Sequence, residues 1–187
     1  MENSLKSHIG NKVSSWYRGH GRHNLPWRKN ITPYRIWISE IMLQQTQVNT
    51  AIDYFNKFMK RYPDLKSIKS AKEDDIYALW SGLGYYRRAS YIFRAKELIH
   101  KDFNGQMPDD FESLLSLPGI GRSTAGAILS IAFKKPYPIL DANVKKVIAR
   151  IFHKKKFNEK EFWHLSEDLL DKKDIFSYQQ GIMDIGA

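Results

Sequence analysis

Apolar residues recur three and four positions apart along almost the whole chain, and runs of alternating polar and apolar residues are nearly absent. Side chains sharing a helix face return about every 3.6 residues and those sharing a strand face every second one, so this pattern predicts an all-α fold. Ile9, Val13, Trp16 and Tyr17 mark an amphipathic helix over 3–19, closed by the Gly- and Pro-punctuated loop 19–27. Thr32 followed by Pro33 is a helix start, and Ile36, Trp37, Ile41 and Met42 make the helix behind it largely buried. Further helices are expected from Gln47 to Tyr62, from Ser70 to the Gly82-Leu83-Gly84 break, and from Arg87 to His100 with Arg88, Arg94 and Lys96 along it. A short helix through Phe111, Leu114 and Leu115 precedes four more over 123–133, 142–152, 159–170 and 176–185. The Lys154-Lys155-Lys156 run reads as a solvated loop.

A chain of 187 residues with 42% hydrophobic content can bury one sizeable core or two small lobes. Its 30 Lys and Arg against 20 Asp and Glu leave a charge of +10, the footprint of a phosphate-binding surface and also what a Lys-rich proteome gives. The absence of cysteine excludes disulfides, thiolate metal sites and cysteine nucleophiles within the chain, and no metal site is expected. No segment approaches the roughly 18 to 20 apolar residues of a membrane helix, and the N-terminus lacks the apolar core of a secretory signal. The expectation is a cytoplasmic protein without membrane attachment. Residues 178–187 read as the middle of a helix or its final turn with no closing polar tail, as expected of a truncated chain.

The most informative stretch is Leu117-Pro118-Gly119-Ile120-Gly121-Arg122-Ser123-Thr124, between a short apolar helix and one rich in Ala and Gly. Two glycines around one apolar residue allow a hairpin with positive φ and uncovered amides. A helix starting at once adds its dipole, so the donors converge where an anion would sit, gripping a phosphate without reading sequence.

Two acids stand out. Asp141, in Ile139-Leu140-Asp141-Ala142-Asn143-Val144, is delivered to a helix start, where it can serve as an N-cap or face a sugar held beside the hairpin. Glu40 lies in a largely apolar helix, either on its one solvated stripe or buried as a proton donor with a raised pKa. Gln44, Gln45 and Thr46 follow it with neutral groups suited to base edges. In Gly82-Leu83-Gly84-Tyr85-Tyr86-Arg87-Arg88 two aromatics sit on a turn beside two arginines, a composition suited to stacking into a duplex next to phosphates.

Together, residues 25–28 (LPWR), 39–48 (SEIMLQQTQV), 82–89 (GLGYYRRA), 117–130 (LPGIGRSTAGAILS) and 139–150 (ILDANVKKVIAR) closely resemble the helix-hairpin-helix DNA glycosylase superfamily and, within it, the adenine DNA glycosylase family. The resemblance implies a six-helix barrel over residues 26–136 and a second helical lobe from 1–25 and 137–187, with the active site in the cleft between them. It implies a monofunctional base-excision-repair hydrolase that flips adenine mispaired with 8-oxoguanine or guanine out of double-stranded DNA and breaks its N-glycosidic bond. Glu40 would protonate adenine at N7, and Asp141 would stabilise the oxocarbenium-like sugar or attack it transiently, with Asn143 and Ser123 orienting water or sugar. Tyr85 and Gln45 would fill the gap left by the flipped base. Gln44, Thr46, Arg28, Arg87, Gly119, Gly121 and Arg122 would contact DNA, and Trp27 and Leu43 would line the base pocket. A bacterial, nucleoid-associated monomer is implied.

Two departures from the family pattern matter. Where endonuclease III-like relatives carry the lysine that forms a Schiff base, this chain has Ser123, which argues against a lyase. The four cysteines of the family's [4Fe–4S] cluster are absent, so that cofactor is expected only in a longer chain, as is the domain that checks the opposing base. The scaffold also fits an endonuclease III-like pyrimidine or mismatch thymine glycosylase, or a non-catalytic DNA-binding fragment. Glu40 and Asp141 in their family contexts argue against the last.

Overall fold

A computed structural model describes residues 2–153 and 158–187, and the Lys154–Lys156 run lies outside the described residues. The described residues form helices and no strands: α1 (Glu2–His20), α2 (Pro33–Leu43), α3 (Val48–Arg61), α4 (Leu65–Ile68), α5 (Glu73–Trp80), α6 (Arg87–Asp102), α7 (Phe111–Leu115), α8 (Arg122–Ala127), α9 (Ala142–Ile151), α10 (Glu159–Asp168) and α11 (Ile175–Gly186). A 3₁₀ turn spans Pro26–Arg28, and a π-helical turn over Ile128–Ala132 continues α8. The all-α expectation therefore holds. None of these helices is long and apolar enough to cross a membrane.

Three local readings differ. The one-turn helix α4 was not expected; Pro63 stops α3, and Asp64 then caps a new start, its carboxylate accepting from Ser67 N at 2.7 Å. α5 opens at Glu73 rather than near Ser70, because Asp75 reaches back to the Lys72 amide at 2.8 Å. The single helix expected over 123–133 becomes α8 and a π turn, within which Ser130 Oγ donates to Gly126 O at 2.6 Å.

The chain divides into two compact units, residues 1–23 with 126–187, and residues 24–125. The later division falls inside the α8 region, about ten residues before the junction read from the sequence.

In the first unit, Val13, Val144, Ile148, Leu169, Tyr178 and Ile182 belong to one buried cluster. α11 is buried almost throughout, and a Cβ on Gly181 would meet Val13 O at 2.9 Å and Tyr17 Cβ at 3.0 Å, so this glycine sets how closely α1 and α11 approach. The polar side of α1 meets a row of acids from the C-terminal segment. Lys6 pairs with Asp168 at 2.9 Å, Ser14 Oγ donates to Asp171 at 2.7 Å, and Arg18 pairs with Asp174 at 2.6 Å. Arg22 grips Asp184, whose side chain is only 1% exposed, through its Nη2 and its backbone amide. A carboxylate so buried is tolerable because the guanidinium and amide replace its water.

In the second unit, α2 is the central element, burying seven of its residues, with Thr32 Oγ1 capping it by accepting from Arg35 N at 3.2 Å. α3 adds Phe55 and Phe58, α5 adds Ile76 and Trp80, and α6 adds Ala89, Ile92, Ala95 and Ile99. Two of the five Lys and Arg side chains on α6 are also buried. Lys96, 2% exposed, donates to the carbonyls of Lys69 and Ala71 at 3.0 and 2.8 Å; Arg88 belongs to the site.

The Gly181 contact yields a stability prediction. Gly181→Val should destabilise the fold by about 1–3 kcal/mol, as overpacking of a close helix contact does. Urea unfolding checks this; an unchanged midpoint would mean the α1–α11 approach is not set there.

Candidate functional site

The second unit builds its surface around Arg88, 5% exposed on the inner face of α6. The last carbonyls of any helix lack intrahelical partners and carry the negative end of its dipole, so they attract a cation. Arg88 Nη1 lies 3.0 Å from Ile41 O, 2.8 Å from Met42 O, 2.6 Å from Gln44 O and 3.1 Å from Thr46 Oγ1. Its Nη2 donates to Gly84 O at 3.0 Å, and its guanidinium lies 5.3 Å from the Trp80 ring centre and 5.5 Å from that of Tyr85. Burial pulls its pKa below the ordinary guanidinium value, and the ring of acceptors favours the charged form. One side chain thus ties the end of α2 to the Gly82-Leu83-Gly84 turn.

Gln45 and Tyr85 follow two of the carbonyls that Arg88 holds, and both have left-handed backbones, with φ of 56° and 51°. For non-glycine residues this conformation is strained and persists only where the surroundings impose it. Gln45 is exposed and Tyr85 is 61% exposed. With Gln44, Arg87 and Tyr91 they border a surface pocket of about 600 Å³. The sequence singled out Gln45 and Tyr85 but missed Arg88 as their support. The signal was present: Arg88 falls on the stripe of Ile92, Ala95 and Ile99, the face that α6 buries.

The hairpin forms as its glycines predict, with one correction. Gly119 has φ of 81°, and a Cβ there would meet Tyr91 Cβ and Cδ2 at 2.8 and 2.9 Å, so glycine is needed for both conformation and space. Gly121 has no positive φ, and a Cβ there would meet nothing within 4 Å, so the hairpin turns on Gly119 alone. Leu117 and Ile120 are buried as its anchors, and Ile120 N donates to Leu117 O at 3.1 Å. Gly121 O accepts from Ala125 N at 2.9 Å, opening α8; Arg122 is exposed and Ser123 half-buried.

Glu40 is half-buried on α2 between buried Ser39 and Ile41, so it is neither wholly enclosed nor on a free solvated stripe. Leu43 ends α2, half-buried. Trp27 is buried with its ring edge-to-face against Phe55 at 5.5 Å, packing into this unit's core, while Arg28 beside it is half-buried.

In the first unit, Asp141 is the N-cap of α9 and Oδ1 accepts from Val144 N at 2.7 Å. Burial raises its pKa above the ordinary aspartate value, opposed by the Val144 and Asn143 amides and by the charge of Lys146. Asn143 is half-buried; Lys146 Nζ donates to its Oδ1 at 3.4 Å and to Gly186 O at 3.1 Å. The acids therefore belong to different units, Glu40 with Ser123 in the second and Asp141 with Asn143 in the first. No group of three or more His, Cys, Asp or Glu among the described residues could hold a metal ion. An iron–sulfur cluster needs cysteine thiolates, and a chain without cysteine does not fit one.

The raised Asp141 pKa has a sign that can be measured. An acid whose pKa is higher folded than unfolded weakens the fold as pH rises through the interval between the two values. Asp141→Asn keeps the capping oxygen and removes that penalty. Its melting temperature should exceed that of the unsubstituted chain at pH 7, and the difference should vanish below pH of about 3.8. A variant less stable at pH 7 would overturn this.

The chain is 48% identical over 94% of its length to the adenine DNA glycosylase of Buchnera aphidicola subsp. Acyrthosiphon pisum, of which it covers 51%, and 48% identical over 94% to that of Buchnera aphidicola subsp. Schizaphis graminum, of which it covers 52%. It thus spans about half the length of the curated relatives it matches. Among solved structures it superposes on a thermostable thymine-DNA glycosylase with a TM-score of 0.88 and 26% identity, covering all of this chain and 88% of the other. The profile of the HhH-GPD superfamily base excision DNA repair proteins matches residues 38–172, and the chain belongs to that family.

Proposed function

We propose that this chain is the base-excising core of a monofunctional adenine DNA glycosylase, which flips adenine opposite 8-oxoguanine or guanine from duplex DNA and hydrolyses its N-glycosidic bond. The observation that carries this reading is the 48% identity, over 94% of the chain, to proteins named adenine DNA glycosylase. Glu40 donates the proton that makes adenine a leaving group, and Asp141 meets the positive charge that develops on the sugar. Asn143 and Ser123 orient the attacking water or the sugar. Gln45 and Tyr85 enter the duplex where the base has left, offsetting part of its unstacking. Their strained, exposed backbones support that role, because a wedge fixed in advance is not ordered anew on binding. The Gly119 hairpin grips a phosphate; Gln44, Thr46, Arg28, Arg87, Gly121 and Arg122 contact DNA, and Trp27 and Leu43 border the base pocket. The chain acts as a monomer. The thymine-DNA glycosylase likeness favours a second reading, excision of mismatched thymine on the same scaffold. Base release from duplexes with A opposite 8-oxoguanine, compared with T opposite G, separates the two.

Two outcomes test the chemistry. Asp141→Asn should lower single-turnover excision by about 10²-fold or more with duplex affinity largely kept, since the lost interaction belongs to the transition state. Glu40→Gln should lower it by about 10²–10⁴-fold and abolish the high-pH limb of the rate profile. Near-normal excision by either variant removes that residue from its role.

Ser123 tests the reaction type. A hydroxyl forms no imine with the sugar, so the unsubstituted chain should release base, leave the strand unbroken and resist borohydride trapping, whereas Ser123→Lys should introduce some covalent trapping. Strong trapping without the substitution would favour a lyase acting through another lysine.

A further inference from the structure

Tyr91 occupies a position that the roles above do not use. On α6 it lies one turn beyond Arg87 and one turn before Arg94, and both guanidiniums lie over its ring in cation–π range, 5.4 and 5.2 Å from the centroid. Its Cβ and ring edge are the surface against which Gly119 turns the hairpin. Tyr91 also lines both pockets of this face, the one of about 600 Å³ bordered by Gln45 and Tyr85 and the one of about 510 Å³ bordered by Arg94 and the hairpin. Tyr91 is thus shared by the hairpin side and the Gln45–Tyr85 side of this face.

The charges on it differ from those elsewhere. Lys6, Arg18, Arg22 and Lys145 each pair with a carboxylate within 3 Å. Arg87 and Arg94 are exposed, and among the described residues neither has an acidic partner. A cation–π contact holds each guanidinium without consuming its N–H donors, which phosphate recognition uses. The helix backbone advances about 10.5 Å over the seven residues from Arg87 to Arg94, and three nucleotide steps of one strand advance about 10 Å.

We propose that Arg87 and Arg94, held by Tyr91, form a phosphate-contact track that carries one DNA strand from the hairpin to the Gln45–Tyr85 wedge. The inference rests on the base-excision reading and extends it. Each arginine neutralises one phosphate, Tyr91 positions both, and none of the three touches the reacting atoms.

Counterion release gives the test. The dissociation constant of the full chain for a fluorescent 20-mer duplex with a central A opposite 8-oxoguanine is measured from 50 to 200 mM salt. Each lost phosphate contact lowers the slope of log affinity against log salt by about 0.9, so Arg87→Gln/Arg94→Gln should lower it by about 1.8. Over that range the unsubstituted chain should lose about twelve-fold more affinity than the double variant. The slope change should be the same on an undamaged duplex, because phosphate contacts carry no sequence information. Tyr91→Phe, which keeps the ring, should bind like the unsubstituted chain, and a circular dichroism melt confirms that each variant folds. An unchanged slope in the folded double variant overturns the track alone; no salt-dependent duplex binding by the unsubstituted chain overturns the base-excision reading as well.

Discussion

The second unit depends on one buried guanidinium. Arg88 satisfies carbonyls at the end of α2 that no helix can satisfy for itself, and holds the turn leading into its own helix. Without that cation, the α2 terminus and the Gly84 carbonyl would face each other as like dipole ends under the surface. With it, the backbones on either side carry Gln45 and Tyr85 in left-handed conformations that neither would adopt alone. The interaction is costly to desolvate and effective because every lobe of the planar donor finds an acceptor or an aromatic face. Lysine, with one compact ammonium, could not span the same set.

The first unit applies the same physics with the signs reversed. Its C-terminal segment presents the acids Asp168, Asp171, Asp174 and Asp184, which Lys6, Ser14 and Arg18 of α1 and Arg22 just after it meet. Asp141 stands apart, because its cap bond to Val144 is favourable while burial works against its ionised form.

Much of the candidate site could be read in the chain because its residues act through backbone rules or local chemistry. Gly119 announces a positive φ, Asp141 announces a helix start, and Gln45 and Tyr85 are polar and aromatic groups beside helix breaks. Gly121 misled because glycine permits a conformation without requiring it, and the hairpin needed only one such residue. The burial of Arg88 and Lys96 was not legible, since charge argues for the surface unless a partner is known, and their partners are carbonyls 25 to 47 residues away.

The sequence alone determined the helical class, most helix positions, the hairpin and the capping place of Asp141, because periodicity, capping and turn chemistry are set within a few residues. It could not settle α4 or the π turn after α8, where local hydrogen bonds compete with helix propagation over single residues. Only the tertiary structure decided which cations are buried, that Tyr91 carries two guanidiniums and the hairpin, and that Arg88 supports Gln45 and Tyr85. Such contacts join residues distant in the chain, and their strength depends on the solvent excluded around them, which no local pattern records.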